Sequence, residues 1–223
     1  MSDVAAPSSA AAPRAASSSL KSNYLLAYNA VSMFSWLSLL WHAGLVLKVW
    51  GLEYVHPHVD LFWKVTQSLA VLEIVHSAFG VVRSPFLTTL MQVASRFLIV
   101  WGTVNPFPEV AKSPVFTTLL IAHGVTEVIR YGYFALALSG ETVEIVGWLR
   151  YNTFIVLYPL GIASECWLMY LAIPYANEVS ELWGYFYYAM LAIYVPGTYV
   201  LYSYMMKQRR KAMRGKAVEK KNQ

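Results

Sequence analysis

Trp148-Leu-Arg150-Tyr151-Asn-Thr-Phe-Ile-Val-Leu-Tyr158-Pro159-Leu-Gly161-Ile-Ala-Ser164-Glu165-Cys166-Trp-Leu-Met-Tyr-Leu-Ala-Ile173 is apolar over almost its whole length, with Arg150 near its start and Glu165 in its middle. About 20 residues of helix cross the roughly 30 Å hydrocarbon core of a bilayer, so this stretch reads as a membrane span. Five more stretches of the same kind lie at Tyr24–Lys48, Phe62–Val82, Phe86–Thr103, Val115–Leu138 and Leu182–Met206. Between them stand breakers: Arg83-Ser-Pro85, Asn105-Pro-Phe-Pro108, Ser139-Gly140 and Pro174. The whole chain of 223 residues is 57% hydrophobic and 13% charged, against roughly 25% charged in a soluble domain. A water-soluble core cannot hide that much apolar surface. The runs are long and continuous, whereas barrel strands are short and alternate, so the expected fold is all-α: a six-transmembrane-helix bundle over residues 23–206.

The flanks differ in kind. Residues 1–22 are rich in Ala, Ser and Pro and lack the large apolar side chains that would order them, so a disordered cytosolic tail is expected. The net charge of +5 is local in origin, because eight of the 17 Lys and Arg residues fall between Lys207 and Lys221. A basic cluster directly after a span suits anionic headgroups at a cytosolic face, and nucleic acid is not expected as a partner. Arg14, Lys21, Arg83, Arg150 and this tail share one side of a six-span topology, which places both termini in the cytosol. One cysteine, Cys166, excludes an intramolecular disulfide framework.

A charged side chain at mid-span costs roughly 2.5–3.5 kcal/mol. Glu73 and His76 in the second span, Arg96 in the third, Glu127 and Arg130 in the fourth and Glu165 in the fifth would together cost on the order of 15 kcal/mol facing lipid. They are expected to face one another or a wet cavity. Glu127, Arg130 and Tyr131 fall at i, i+3 and i+4 and line one stripe; the plainer reading of the first two is an intrahelical ion pair. His76 reads as a packing histidine, and the five histidines form no metal-ligand spacing, so no metal is expected. In the fifth span Tyr151, Tyr158 and Glu165 recur every seven residues, about two turns, along one face. Pro159 removes a backbone N–H there, and Gly161 allows a neighbouring chain to come close. A phenol and a carboxyl group on one face make a polar pocket in an apolar wall, the plainer alternative being a packing Tyr158 and a Glu165 paired with an arginine.

These residues carry a resemblance. Leu-Glu73-Ile-Val-His76, Val-Arg83-Ser-Pro85, Phe-Pro108-Glu109-Val, Thr-Glu127-Val-Ile-Arg130-Tyr131, Leu-Arg150-Tyr151, Leu-Tyr158-Pro159-Leu-Gly161-Ile-Ala-Ser-Glu165 and Ile-Tyr194-Val-Pro196-Gly197 resemble, in order, the motif series of the very-long-chain (3R)-3-hydroxyacyl-CoA dehydratases, also called protein tyrosine phosphatase-like membrane proteins. The resemblance implies a six-span endoplasmic reticulum enzyme of the third step of fatty acid elongation, with Tyr158 and Glu165 catalytic. It also implies a very-long-chain 3-hydroxyacyl-CoA substrate and, as neighbours in the bilayer, the condensing enzyme, the ketoacyl reductase and the enoyl reductase. Ser77 stands where a phosphatase signature requires a nucleophilic cysteine, so the covalent phosphoenzyme route is absent. Lys220-Lys221-Asn-Gln223 resembles a cytosolic di-lysine retrieval signal.

The chemistry implied is loss of water across C2 and C3 of the acyl chain, acid/base work for which no redox cofactor or metal is expected. Glu165 is expected as the general base, with Tyr158 donating to the departing hydroxyl; the reverse assignment stays open. Arg83, Arg150 and Arg130 are candidates for the CoA phosphates, and Glu127, Tyr151 and Gly161 for supporting the site. The rival readings are a proton-coupled transporter built on the intramembrane charges and a catalytically silent scaffold. The former lacks the internal repeat such proteins carry.

Overall fold

The structure, a computed structural model, describes residues 17–141 and 143–221. All regular structure among them is helical: α1 Ser17–Val49, α2 Val55–Ser68, α3 Val71–Ala78, α4 Phe86–Ile99, α5 Pro114–Ser139, α6 Glu144–Asn152, α7 Phe154–Val179 and α8 Glu181–Lys221, with short 3-10 turns at Leu52–Tyr54 and Pro108–Lys112. Three helical stretches are long and apolar enough to cross a membrane by length and composition, namely Leu20–Val49, Phe86–Val104 and Phe154–Val179. The all-helical expectation holds, while six spans are not reached on those grounds. The reasons are local: α2 and α3 are each shorter than a span, α5 carries the charged stripe, and α8 is rich in tyrosine.

The expected second span, Phe62–Val82, is two helices. Ala70 N–H bonds Gln67 O at 3.1 Å and Glu73 N–H bonds Ala70 O at 3.0 Å, a tightened i, i+3 turn that hydropathy cannot reveal. The expected fifth span begins later than Trp148, because α6 and α7 meet at Thr153, whose hydroxyl donates to Leu149 O at 2.8 Å. Helix α1 starts at Ser17, inside the stretch assigned to the tail, and α8 runs on to Lys221. Once a packed span has nucleated a helix, each added residue gains a backbone bond at little further cost. Residues 1–16 of the expected tail, and Asn222 and Gln223 of the di-lysine end, lie outside the described residues.

Helix α5 is bounded by chemistry readable in the chain. The Ser113 side chain accepts from Val115 N–H at 3.3 Å and Pro114 occupies the first turn, the ordinary opening of a helix. Gly140 closes it at φ 83°, a left-handed conformation that costs glycine least. α5 packs against α1 on one side and α7 on the other, with α8 against α7, α2 against α1 and α3 against α4. The approach of α1 to α5 depends on Gly124, where a Cβ would stand 2.6 Å from Leu40 Cδ2. α4 ends in a π-turn over Val100–Val104, and the Tyr187 hydroxyl of α8 donates to Gly102 O in that turn at 2.5 Å.

The bundle has two unlike halves. Trp36, Leu39, Val59, Trp63, Phe116, Leu119, Leu120, Leu168, Met169, Ala172 and Tyr187 form a continuous apolar core. They come from the second half of α1, from α2, from the first half of α5, the second half of α7 and the first half of α8, which meet at one end. The complementary segments at the other end carry the intramembrane ionisable groups. Large apolar side chains such as Phe34, Trp41, Leu61, Phe79, Val195 and Tyr199 point outward, as a lipid-facing surface requires.

Candidate active site

Two polar layers occupy the second half, one turn of α5 apart. The outer layer is ionic. Glu127 is fully buried, and its Oε1 lies 2.5 Å from Arg96 Nη2 of α4. Its Oε2 accepts from Arg130 Nε at 2.9 Å. Arg130 continues to Glu73 of α3, donating from Nη1 at 2.7 Å and from Nη2 at 2.5 Å. The Tyr131 hydroxyl also donates to Glu73, and Tyr28 of α1 reaches the same oxygen at 3.4 Å. Two carboxylates and two guanidiniums sum to zero charge, so this layer holds no uncompensated ion. The Glu127–Arg130 pair read from spacing is present, but it belongs to a quartet that ties α3, α4 and α5 together. Arg130 is thereby committed to two carboxylates. His76 meets the Tyr24 hydroxyl through Nε2 at 2.8 Å, a satisfied packing histidine.

The inner layer centres on Glu165. This side chain on α7 is buried, and its Oε1 lies 3.1 Å from His123 Nε2 of α5. On the other side of the imidazole, Nδ1 faces Gln67 Nε2 of α2 at 3.4 Å. Gly161 faces this ring: a Cβ there would stand 3.4 Å from His123 Cδ2 and 3.5 Å from Nε2, ordinary van der Waals contact. The sequence points to Gly161 as a place where a neighbour comes close; the neighbour is His123, and the spacing leaves room for a methyl group. His123 was weighed only as a metal ligand, although 123, 127 and 130 mark one stripe of a helix that already contained Glu127 and Arg130.

Tyr158 lies two turns before Glu165 on α7, toward the helix start. Its ring stacks on Tyr202 of α8 at 6.0 Å between centroids, and its hydroxyl is buried with no hydrogen-bond partner among the described residues. A buried phenol with an unmet donor is costly unless something else arrives to accept from it. α7 continues as helix through Pro159 and Pro174.

The cationic candidates sit beyond Tyr158. Arg150 on α6 is half-buried, its guanidinium 4.7 Å from the Tyr133 ring, 4.3 Å from Phe134 and 5.8 Å from Tyr151; Tyr151 packs edge-on against Tyr133 at 6.2 Å. Arg83 is exposed in the α3–α4 connection. Arg209 of α8 donates to Asn152 Oδ1 from Nη2 at 2.9 Å, which brings the basic end of α8 against the α6–α7 junction. Tyr24 and His76 likewise join the start of α1 to the end of α3. The start of α1, the α3–α4 and α6–α7 connections and the end of α8 therefore share one end of the bundle, beside Tyr158.

Fold and site together define a helical membrane protein with a carboxyl–imidazole pair and an unpartnered phenol set in an apolar wall. Residues 67–215 match the family described as protein tyrosine phosphatase-like protein, PTPLA, and the chain belongs to that family. It is 41% identical over 197 residues to a probable very-long-chain (3R)-3-hydroxyacyl-CoA dehydratase of Schizosaccharomyces pombe, covering 86% of this chain and 93% of the relative. Against the very-long-chain (3R)-3-hydroxyacyl-CoA dehydratase PASTICCINO 2A of Oryza sativa subsp. japonica it is 40% identical, covering 88% and 95%. Against very-long-chain (3R)-3-hydroxyacyl-CoA dehydratase 2 of Homo sapiens it is 31% identical, covering 87% and 82%. No solved structure matches. The phosphatase-like label finds no thiolate here: Ser77 donates to Ile74 O at 3.0 Å, and the sole cysteine, Cys166, lies on α7.

Proposed function

We propose that this protein dehydrates (3R)-3-hydroxyacyl-CoA to trans-2-enoyl-CoA, the third step of very-long-chain fatty acid elongation. The observation that carries the reading is the pairing on α7 of a buried carboxyl group at Glu165 with a buried, unpartnered hydroxyl at Tyr158, in a chain whose relatives over most of its length are named as such dehydratases.

The thioester carbonyl acidifies the C2 proton of the substrate, and Glu165 takes it. The C2 electron pair forms the C2–C3 double bond as the C3–O bond breaks, and Tyr158 gives its proton to the departing hydroxyl, which leaves as water. Transfer of the proton from Glu165 back to the Tyr158 phenolate restores the enzyme. Each half of this is acid/base work by a positioned side chain, and the unmet donor of Tyr158 is the group that a substrate hydroxyl would satisfy. The exchanged roles, with Tyr158 as base and Glu165 as acid, use the same atoms.

The acyl chain lies along the apolar helix faces, and the dry core at the far end closes the passage. The nucleotide end of CoA stays where Arg83 and Arg150 lie, and their guanidiniums meet its phosphates. Arg130 and Glu127 act within the ionic quartet, holding α5 in register so that Tyr151, Gly161 and the reacting pair are placed. The chain crosses the endoplasmic reticulum membrane six times, as α1, α2 with α3, α4, α5, α7 and α8, with both termini cytosolic. The condensing enzyme, ketoacyl reductase and enoyl reductase are its neighbours. The test is the purified full chain in liposomes given a very-long-chain 3-hydroxyacyl-CoA. Formation of trans-2-enoyl-CoA supports the reading, and none from a folded, inserted protein refutes it.

A further inference from the structure

His123 is buried on α5 and linked on both sides of its ring. One nitrogen meets Glu165 Oε1 at 3.1 Å and the other meets the Gln67 amide at 3.4 Å. Histidine carries two distinct nitrogens, and the partner of one decides what the other offers. With the Gln67 amide N–H donating to Nδ1, the neutral ring presents Nε2–H to an ionised Glu165. When Glu165 gains a proton on Oε2, Oε1 still accepts from Nε2–H, so one ring form, with Gln67 donating to Nδ1, serves both protonation states of Glu165. A carboxylate or a hydrocarbon in place of Gln67 would offer Nδ1 no donor.

We propose that His123 is the positioning residue of Glu165. It fixes Oε1 through Nε2 and leaves Oε2 for the substrate, while Gln67 supports the ring before and after proton transfer. The inference rests on the reading that Glu165 transfers the C2 proton. It adds residues on two further helices to the function of one.

The test uses the full-length enzyme in liposomes, with turnover and half-saturation measured for 3-hydroxyacyl-CoA. His123→Phe fills the space without a donor, and kcat should fall roughly 10- to 100-fold, the cost of a misplaced reacting group. KM should stay within about 3-fold, since His123 acts on orientation rather than on binding. His123→Gln carries an amide nitrogen to the position of Nε2 and should recover most of the loss. Gln67→Leu, which leaves the α5–α7 contact intact, should lower kcat with KM unchanged, and it decides the matter should His123→Phe fail to fold. Wild-type kcat in His123→Phe or in Gln67→Leu, alongside a Glu165→Gln variant that has lost turnover, overturns the role of His123 and leaves that of Glu165 standing. A loss in His123→Phe that His123→Gln fails to recover also overturns it. Full turnover in Glu165→Gln removes the underlying reading itself.

Discussion

Replacing Glu127 by Gln takes one negative charge from a quartet that sums to zero, and the structure states which ion is then stranded. Arg130 keeps Glu73 through two hydrogen bonds, whereas the carboxylate that Arg96 meets is Glu127 alone among the described ion pairs. Breaking a buried pair by removing one partner costs about 3–5 kcal/mol, because the remaining charge stays desolvated. Glu127→Gln should therefore lower stability by about that amount. Adding Arg96→Met removes the stranded charge, so the double variant should be more stable than the sum of the single losses by about 1–3 kcal/mol. The assay is reversible unfolding of the purified protein in mixed micelles with rising denaturing detergent, followed by tryptophan fluorescence. Single losses that add to within about 0.5 kcal/mol would show that Arg96 and Glu127 are not energetically coupled and refute the quartet as a joint between α4 and α5.

Contacts of Arg209 with Asn152 and Tyr24 with His76 draw the start of α1 and the end of α8 to one end of the bundle; under the proposed topology that end is cytosolic, so protease added to sealed microsomes should remove a C-terminal tag, and full protection reverses the orientation. Arg83→Ala should raise KM for the acyl-CoA far more than it lowers kcat, with little effect on an acyl-pantetheine that lacks the nucleotide; equal loss on both substrates removes Arg83 from the phosphates. Gly124→Ala should destabilise the bundle by about 1–3 kcal/mol through overpacking, and Leu40→Ala in the same chain should recover part of it in the same unfolding assay, since Leu40 is what the new methyl meets.

What the sequence made legible was what periodicity and desolvation cost can reach. The stripe of Glu127, Arg130 and Tyr131 and the demand that intramembrane charges converge both lead to the quartet found. Spacing on one helix says which residues share a face, but not which side chain of another helix arrives there. His123 and Gln67 were therefore missed as partners of Glu165, and Arg130 was offered to a phosphate although two carboxylates already hold it. The junctions at Ala70 and Thr153 escaped for a different reason. A tightened turn within helical backbone changes one or two hydrogen bonds and leaves the hydropathy unaltered, so the apolar run reads as one span across it.

The central claim is that Glu165 moves the C2 proton, with Tyr158 serving the hydroxyl. Its most direct test is single-turnover dehydration of a 3-hydroxyacyl-CoA by Glu165→Gln in liposomes, beside Tyr158→Phe and the double variant. Glu165→Gln keeps the shape and loses the base, so the rate should fall at least about 10²-fold with substrate still bound, Tyr158→Phe should fall comparably, and the double variant should be little worse than either because both act on one transition state. A near-wild-type rate in folded, inserted Glu165→Gln would contradict the mechanism.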